Sequence, residues 1–208
     1  MTRKYGLCGI LAAAGLLAMT SCSPTTLQTV WKDNDYRGGK LKKVLIIAAD
    51  ANQIIRRKFE DEFVRKLDAH GTAGVASYRV IASDEISDRQ VVDSAIRDLG
   101  IDAVLVTRLV SRKKEKEYSS PPYYSRDWYG WYSRSYVYPP SQRYYSEYEV
   151  VNLETNIYAT RSGKMIWSAL SDTVVGGSHE LEIQSVIDVI TKNLVTNHLL
   201  GAIPPAPR

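Results

Sequence analysis

The sequence predicts a single α/β domain. A mixed sheet of about five strands is covered by about three helices, in the order β-α-β-α-β-(Tyr-rich insertion)-β-β-α. Three observations predict it. Two continuous apolar runs, KVLIIAA at 43–49 and AVLVTRLV at 103–110, suit strands buried on both faces. Between them, two segments carry apolar residues at helical spacing. Beyond them, residues 149–159 alternate well, as a half-exposed antiparallel strand does.

Each element has its own signal. From Asn52 to His70, Ile55, Phe59, Phe63 and Leu67 recur every four residues among charges, and Gly71 can end the helix. Residues 75–81 read as a second strand. Ser87 and Gln90 have capping-box spacing, followed by Val92, Ala95, Ile96 and Leu99 on one helical face and Gly100 as the stop. The first five elements imply parallel strands with right-handed crossovers. In the second half, Val151, Leu153, Ile157 and Ala159 share one face, opposite Asn152, Glu154 and Asn156. Residues 160–164 connect this strand to a hairpin partner, Met165 to Val175. Ser178 can cap a last helix with the stripe Ile183, Val186, Ile187, Ile190 and Leu194. The proline-rich residues 201–208 read as a non-helical tail.

The N-terminus carries an address. Arg3 and Lys4 precede an uncharged apolar run, Leu7 to Met19, the n-region and h-region of a secretory signal. The run is too short for a membrane span, which needs about 20 residues. Met19-Thr20-Ser21-Cys22 resembles the lipobox of bacterial lipoproteins, as a variant of the usual Leu-Ala-Gly-Cys pattern. The resemblance implies cleavage of a signal peptide, 1–21, and covalent lipid on Cys22, a diacylglyceryl thioether plus an acyl chain such as palmitate. Cys8 lies within the signal, so Cys22 has no disulfide partner in the exported chain. In Gram-negative lipoproteins an Asp after the Cys marks the inner membrane; Ser23 here favours the outer membrane, with the domain facing the periplasm. Residues 22–40 read as the lipidated N-terminus and a tether, with Trp31 and Tyr36 packing onto the edge of a domain at 41–200.

Charge excludes one partner class. The net charge of +4 rests on 27 basic residues; without Arg3 and Lys4, 25 remain against 23 acidic ones. Basic and acidic residues interleave and no nucleic-acid motif appears, so nucleic acid is not an expected partner.

The aromatic composition is uneven. Of 14 Tyr, 10 fall between Tyr118 and Tyr148, and there are only 2 Phe in the chain. Residues 118–148 form an insertion between two expected sheet neighbours, far longer than a hairpin loop of 2–5 residues. Its centre is Trp128-Tyr129-Gly130-Trp131-Tyr132, flanked by Pro121-Pro122 and Pro139-Pro140. Three readings compete: a low-complexity loop without a specific role, an aromatic layer folded back on the sheet, and a recognition surface for protein or glycan. Tyr, Trp and Arg are the types enriched at binding hot spots. The candidate contact residues are therefore Trp128, Tyr129, Trp131 and Tyr132, with Arg126, Arg134 and Arg143 able to add cation–π or acidic contacts.

Two resemblances accompany this reading. The element order is similar to the N-terminal periplasmic domain of the translocation protein TolB, to lipoproteins that activate peptidoglycan synthases, and to the curli secretion lipoprotein. Trp31-Lys32-Asp33, Lys42 to Leu45, Ala103 to Arg108, Leu153 to Asn156 and Ser162 to Ser168 resemble uncharacterised bacterial lipoproteins with a domain of unknown function. The resemblance implies an address and a fold, and no activity.

Candidate chemistry is sparse. Gly38-Gly39 and Gly176-Gly177 do not form a phosphate loop. His70, His179 and His198 lie in no metal-binding motif; His70 and His198 fall near helix C-termini, where a cation suits the dipole. Glu147/Glu149 and Glu180/Glu182 read as solvated acids, and no Gly-x-Ser-x-Gly elbow is present. The run Arg112 to Glu117 reads as an exposed strand extension, with contact to anionic lipid or polymer as its functional alternative. The expectation is a non-enzymatic, lipid-anchored envelope protein without metal or cofactor. It binds or scaffolds an envelope protein or peptidoglycan. The alternatives are a structural subunit of an oligomeric envelope assembly and a hydrolase of envelope polymer.

Overall fold

A computed structural model describes residues 24–50, 52–119, 144–176 and 178–203. It contains one six-stranded mixed sheet in the order β1-β6-β5-β4-β2-β3. The strands are β1 (Thr25–Lys32), β2 (Lys43–Ala49), β3 (Ala73–Ala76), β4 (Ala103–Ser119), β5 (Tyr144–Ala159) and β6 (Met165–Val175). The helices are α1 (Gln53–Ala69), α2 (Ser77–Val80), α3 (Arg89–Leu99) and α4 (His179–Thr196). Strands β3, β2 and β4 are parallel, and β4-β5-β6-β1 continue antiparallel. The mixed α/β class and the expected element order hold.

Four details differ from the sequence reading. First, the segment read as tether contributes β1, which pairs with β6 from Thr25↔Thr173 to Lys32↔Trp167. Its inward positions hold Thr25 as well as apolar residues, and Thr25 Oγ1 lies 2.9 Å from Thr173 Oγ1. An inward hydroxyl pair leaves no apolar alternation to read. Tyr36 packs against the main core as expected, whereas Trp31 is largely exposed.

Second, the strand expected at 75–81 ends at Ala76, and the chain turns into α2. The buried Glu60 carboxylate accepts from Ser77 Oγ at 2.7 Å and from the Tyr78 amide at 3.0 Å, diverting both residues from the sheet. Third, Asp88 rather than Ser87 caps α3, accepting from the Gln90 amide at 2.8 Å. Asp at N-cap reaches N2 as readily as Ser reaches N3. Fourth, the insertion is shorter than 118–148, because its flanks extend β4 to Ser119 and β5 back to Tyr144.

The two faces of the sheet are covered unequally. Helices α1 and α4 share one face, where Phe59, Phe63, Leu67, Ile187, Ile190 and Trp167 form the main core. Phe59 and Phe63 are tilted at 54° with centroids 5.5 Å apart, a favourable aromatic arrangement. The Trp167 indole donates to Asn193 Oδ1 at 3.1 Å, so its buried N–H is satisfied. Helix α3 covers the other face over β2 through the apolar stripe expected from sequence, with Val92, Ala95, Ile96 and Leu99 against Leu45.

The three long helices end alike. In α1 the Gly71 and Thr72 amides donate to Asp68 O and Leu67 O; in α3 Gly100 and Ile101 donate to Arg97 O and Ile96 O. In α4 His198 and Leu199 donate to Val195 O and Leu194 O. These paired bonds are Schellman closures around a left-handed residue. Two of those residues are Gly, whereas His198 adopts φ 61° with a side chain. At Gly74, where β3 passes under α1, an added Cβ would lie 2.7 Å from Val64 Cα, so only glycine allows this approach.

Candidate functional site

Strands β2, β4 and β6 leave the sheet at one end, and β1 and β5 enter there. Helices α1 and α4 start at the same end, α1 capped by Asn52 and α4 by Ser178, the latter as expected. Between β2 and β4 the connections reverse, with α1 on one face and α3 on the other. Ligand crevices in open α/β sheets form at such a point, beyond the carboxyl ends of the strands.

A cleft of about 120 Å³ lies here. Its walls include Ala48, Ile55, Phe59, Leu153, Ile183 and Val186, and its mouth carries Asp50, Arg112, His179 and Glu182. A cavity of about 150 Å³ holds one benzene, whereas pockets for drug-sized ligands start near 300 Å³. The cleft therefore accommodates one small apolar group and cannot bury a nucleotide.

Its floor is rigid. Arg56 Nε and Glu60 Oε1 form a fully buried ion pair at 3.1 Å. Arg56 also donates to Ser77 Oγ at 2.9 Å, and Glu60 Oε1 accepts from the Ala48 amide at 3.1 Å. Sequence reasoning missed this network. The available signal was Arg56 and Glu60 at i,i+4 within the stripe that also holds Phe59 and Phe63, a face where charge is buried only when paired.

The second feature is an arm. Strand β4 pairs with β2 only as far as Arg108, and β5 pairs with β6 only from Glu149 onward. Beyond both of these neighbours, the pairs from Glu115↔Tyr148 to Ser119↔Tyr144 continue as a two-stranded ribbon. At about 3.3 Å per residue its five pairs extend about 16 Å beyond the sheet. The run at 112–117 leads from the last part of the sheet into this ribbon, as expected of a strand extension. Lys114 faces Glu149 and Lys116 faces Glu147, while Arg112 Nη1 contacts Glu149 Oε1 at 3.0 Å. Opposed charges across the ladder favour this register. They also give Glu147 and Glu149 basic neighbours.

The other anticipated residues fall as follows. His179 Nδ1 is 3.4 Å from Glu182 Oε2, and Glu180 lies in the first turn of α4. His70 Nδ1 is 2.7 Å from Gly201 O, tying the end of α1 to the chain after α4. Among the described residues no group of three His, Cys, Asp or Glu could hold a metal, and no helix is long and apolar enough to cross a membrane. The signal peptide and Cys22 lie outside the described residues. So do Arg126, Trp128, Tyr129, Trp131, Tyr132, Arg134 and Arg143, together with the tail from 204.

At the rim of the cleft, Arg108 Nη2 contacts Glu154 Oε2 at 2.5 Å, and Asn156 Nδ2 donates to Glu154 Oε1 at 3.0 Å. The Asn156 hydrogen bond is the main cause that holds the Glu154 carboxyl below the ordinary carboxylate range; partial burial opposes it, and the charge and hydrogen bond of Arg108 add to the lowering.

The class defined so far is a mixed α/β domain with a projecting β-ribbon and a small apolar cleft at its base. No family model matches the chain, and no curated protein does. Several solved structures are similar. The PelC dodecamer from Paraburkholderia phytofirmans is 15% identical, covers 84% of this chain and 97% of its own, and has a TM-score of 0.43. Lipoprotein GNA1162 from Neisseria meningitidis is 13% identical over 74% of this chain and 99% of its own, with a TM-score of 0.42. A minor lipoprotein from Acinetobacter baumannii is 12% identical over 77% and 96%, with a TM-score of 0.34.

Proposed function

We propose that the chain is a non-enzymatic lipoprotein of the cell envelope. Cys22 carries the lipid, the outer membrane holds it, and the domain faces the periplasm as a binding or scaffolding module. The Tyr/Trp insertion is its main contact surface, and an envelope protein or peptidoglycan is its partner. The observation that carries this reading is the ribbon. The β4–β5 ladder on either side of residues 120–143 ends at Ser119 and Tyr144, where both strands have run past their sheet neighbours. A projecting ladder whose intervening sequence is rich in Tyr, Trp and Arg, the types enriched at contact surfaces, supports a role in recognition.

The test has two parts. Cys22→Ser should move the protein from the membrane fraction to the soluble periplasm. Replacing Trp128, Tyr129, Trp131 and Tyr132 by Ala should remove its in-cell crosslinks while leaving the fold intact by circular dichroism. Unchanged fractionation sinks the lipid anchor, and unchanged crosslinks sink the contact surface.

A second reading is a subunit of an oligomeric envelope assembly, in which ribbons of neighbouring copies pack side by side. A monomeric mass for the Cys22→Ser protein argues against it.

A further inference from the structure

Six of the large apolar side chains left exposed belong to one end of the domain. They are Ile54 at the start of α1, Val80 in α2, Leu109 and Val110 at the bulge in β4, Val174 near the end of β6, and Leu181 in the first turn of α4. Ile54 and Leu181 are 69% and 61% exposed. Single exposed apolar residues need no explanation, but a concentration around one apolar cleft marks an interaction surface. Among the described residues only Val30, Trp31 and Ile203 are comparable elsewhere.

The chain path selects what covers this end. Strand β1 starts here, since Thr25 pairs with Thr173 next to Val151. Only Ser23 and Pro24 separate Thr25 from Cys22. Three Cα–Cα steps span at most about 11 Å. From the level of Val151, β5 runs seven residues outward to Tyr144, about 23 Å at strand rise. The ribbon is thus longer than the leash. A domain held by Cys22 cannot stand clear of the membrane with its ribbon upright; the ribbon must tilt against the bilayer or enter its interface. Both outcomes bring the apolar end to the lipid.

Electrostatics agrees with apolar rather than ionic docking. Arg108, Arg112 and His179 are matched by Glu154, Glu149 and Glu182, Asp50 adds a further acid, and Lys113, Lys114 and Lys116 share the ladder with Glu115, Glu117 and Glu147. Among the described residues the end has no excess of cations for anionic headgroups.

We infer that this end of the sheet is a membrane-docking face whose occupant is the lipid surface that holds Cys22, an inference that rests on the lipid anchor proposed above. Ile54, Val110 and Leu181 enter the interface, with the cleft open toward the acyl region. Residues 120–143 are not required for it.

The test uses the mature lipidated chain in phosphatidylethanolamine/phosphatidylglycerol nanodiscs containing a doxyl-labelled lipid, with ¹³C-labelled Ile, Leu and Val methyls. Strong paramagnetic broadening is expected at Ile54, Val110 and Leu181, and none at Ile203 beyond the opposite end. Substituting Ile54→Asp together with Leu181→Asp, both exposed, should reduce the broadening at Val110 several-fold while the chain stays on the disc. A wild-type chain that is not retained on the disc overturns the anchor, and this inference with it. A retained chain whose Ile54 and Leu181 methyls stay sharp, or whose Ile203 end broadens instead, overturns the docking face alone. Should the double variant unfold, Val110→Asp read at Ile54 and Leu181 replaces it under the same criteria.

Discussion

Arg56 and Glu60 sit one helical turn apart with both side chains withdrawn from solvent, Nε to Oε1 at 3.1 Å. Glu60 also accepts from the Ala48 and Tyr78 amides and from Ser77 Oγ, so one carboxylate joins α1, the end of β2 and α2. Its removal leaves a buried guanidinium and two buried or half-buried amides without their acceptor. Breaking a buried pair in this way costs about 3–5 kcal/mol. Glu60→Ala is therefore expected to lower the urea midpoint sharply, whereas Arg89→Ala, which removes the exposed pair with Asp93, should change stability by less than about 0.5 kcal/mol. Equal effects from the two substitutions would contradict the assignment.

His198 closes α4 in the left-handed region, where a side chain costs about 1–2 kcal/mol and glycine pays a smaller entropic penalty. His198→Gly should stabilise the domain by about 0.5–1 kcal/mol, read as a raised midpoint in chemical denaturation. A lowered midpoint would mean that the imidazole makes a contact worth more than the strain.

Glu154 gives a pH dependence of definite sign. Its folded-state pKa lies below the unfolded value, so its contribution to stability is present above the unfolded carboxylate range and is lost as pH falls through the folded value. The stability gap between the native chain and Glu154→Gln should be open at pH 6 and narrow toward pH 3. A gap that stays constant across that range would show that Asn156 and Arg108 do not favour the charged form.

The parallel half of the fold was legible because its strands are apolar on both faces and its helices keep a regular stripe. KVLIIAA and the Phe59-Phe63-Leu67 series admit few alternatives. The β5–β6 hairpin was legible from the alternation at 149–159 and the short link at 160–164. What escaped were positions governed by polar pairing. Thr25 and Thr173 satisfy each other across two strands, and a Thr-rich segment with inward hydroxyls resembles a linker in sequence. Ser77 and Tyr78 look like strand residues until Glu60, seventeen and eighteen positions earlier, claims their hydrogen bonds. The cleft was invisible for a related reason. Its walls come from β2, β4, β5, β6, α1 and α4, and no local pattern records where two helices begin side by side.

The pairing of β1 with β6 also orders events in time. Thr25 meets a partner 148 positions away, among the most distant contacts in the chain. Pairings of this separation form late, because the loop they close must be ordered first. Of the six strands, the one synthesised first is then the one that must wait longest for its neighbour. Its threonines keep that waiting edge hydrated, and completion of the sheet becomes a signal that synthesis has passed residue 173.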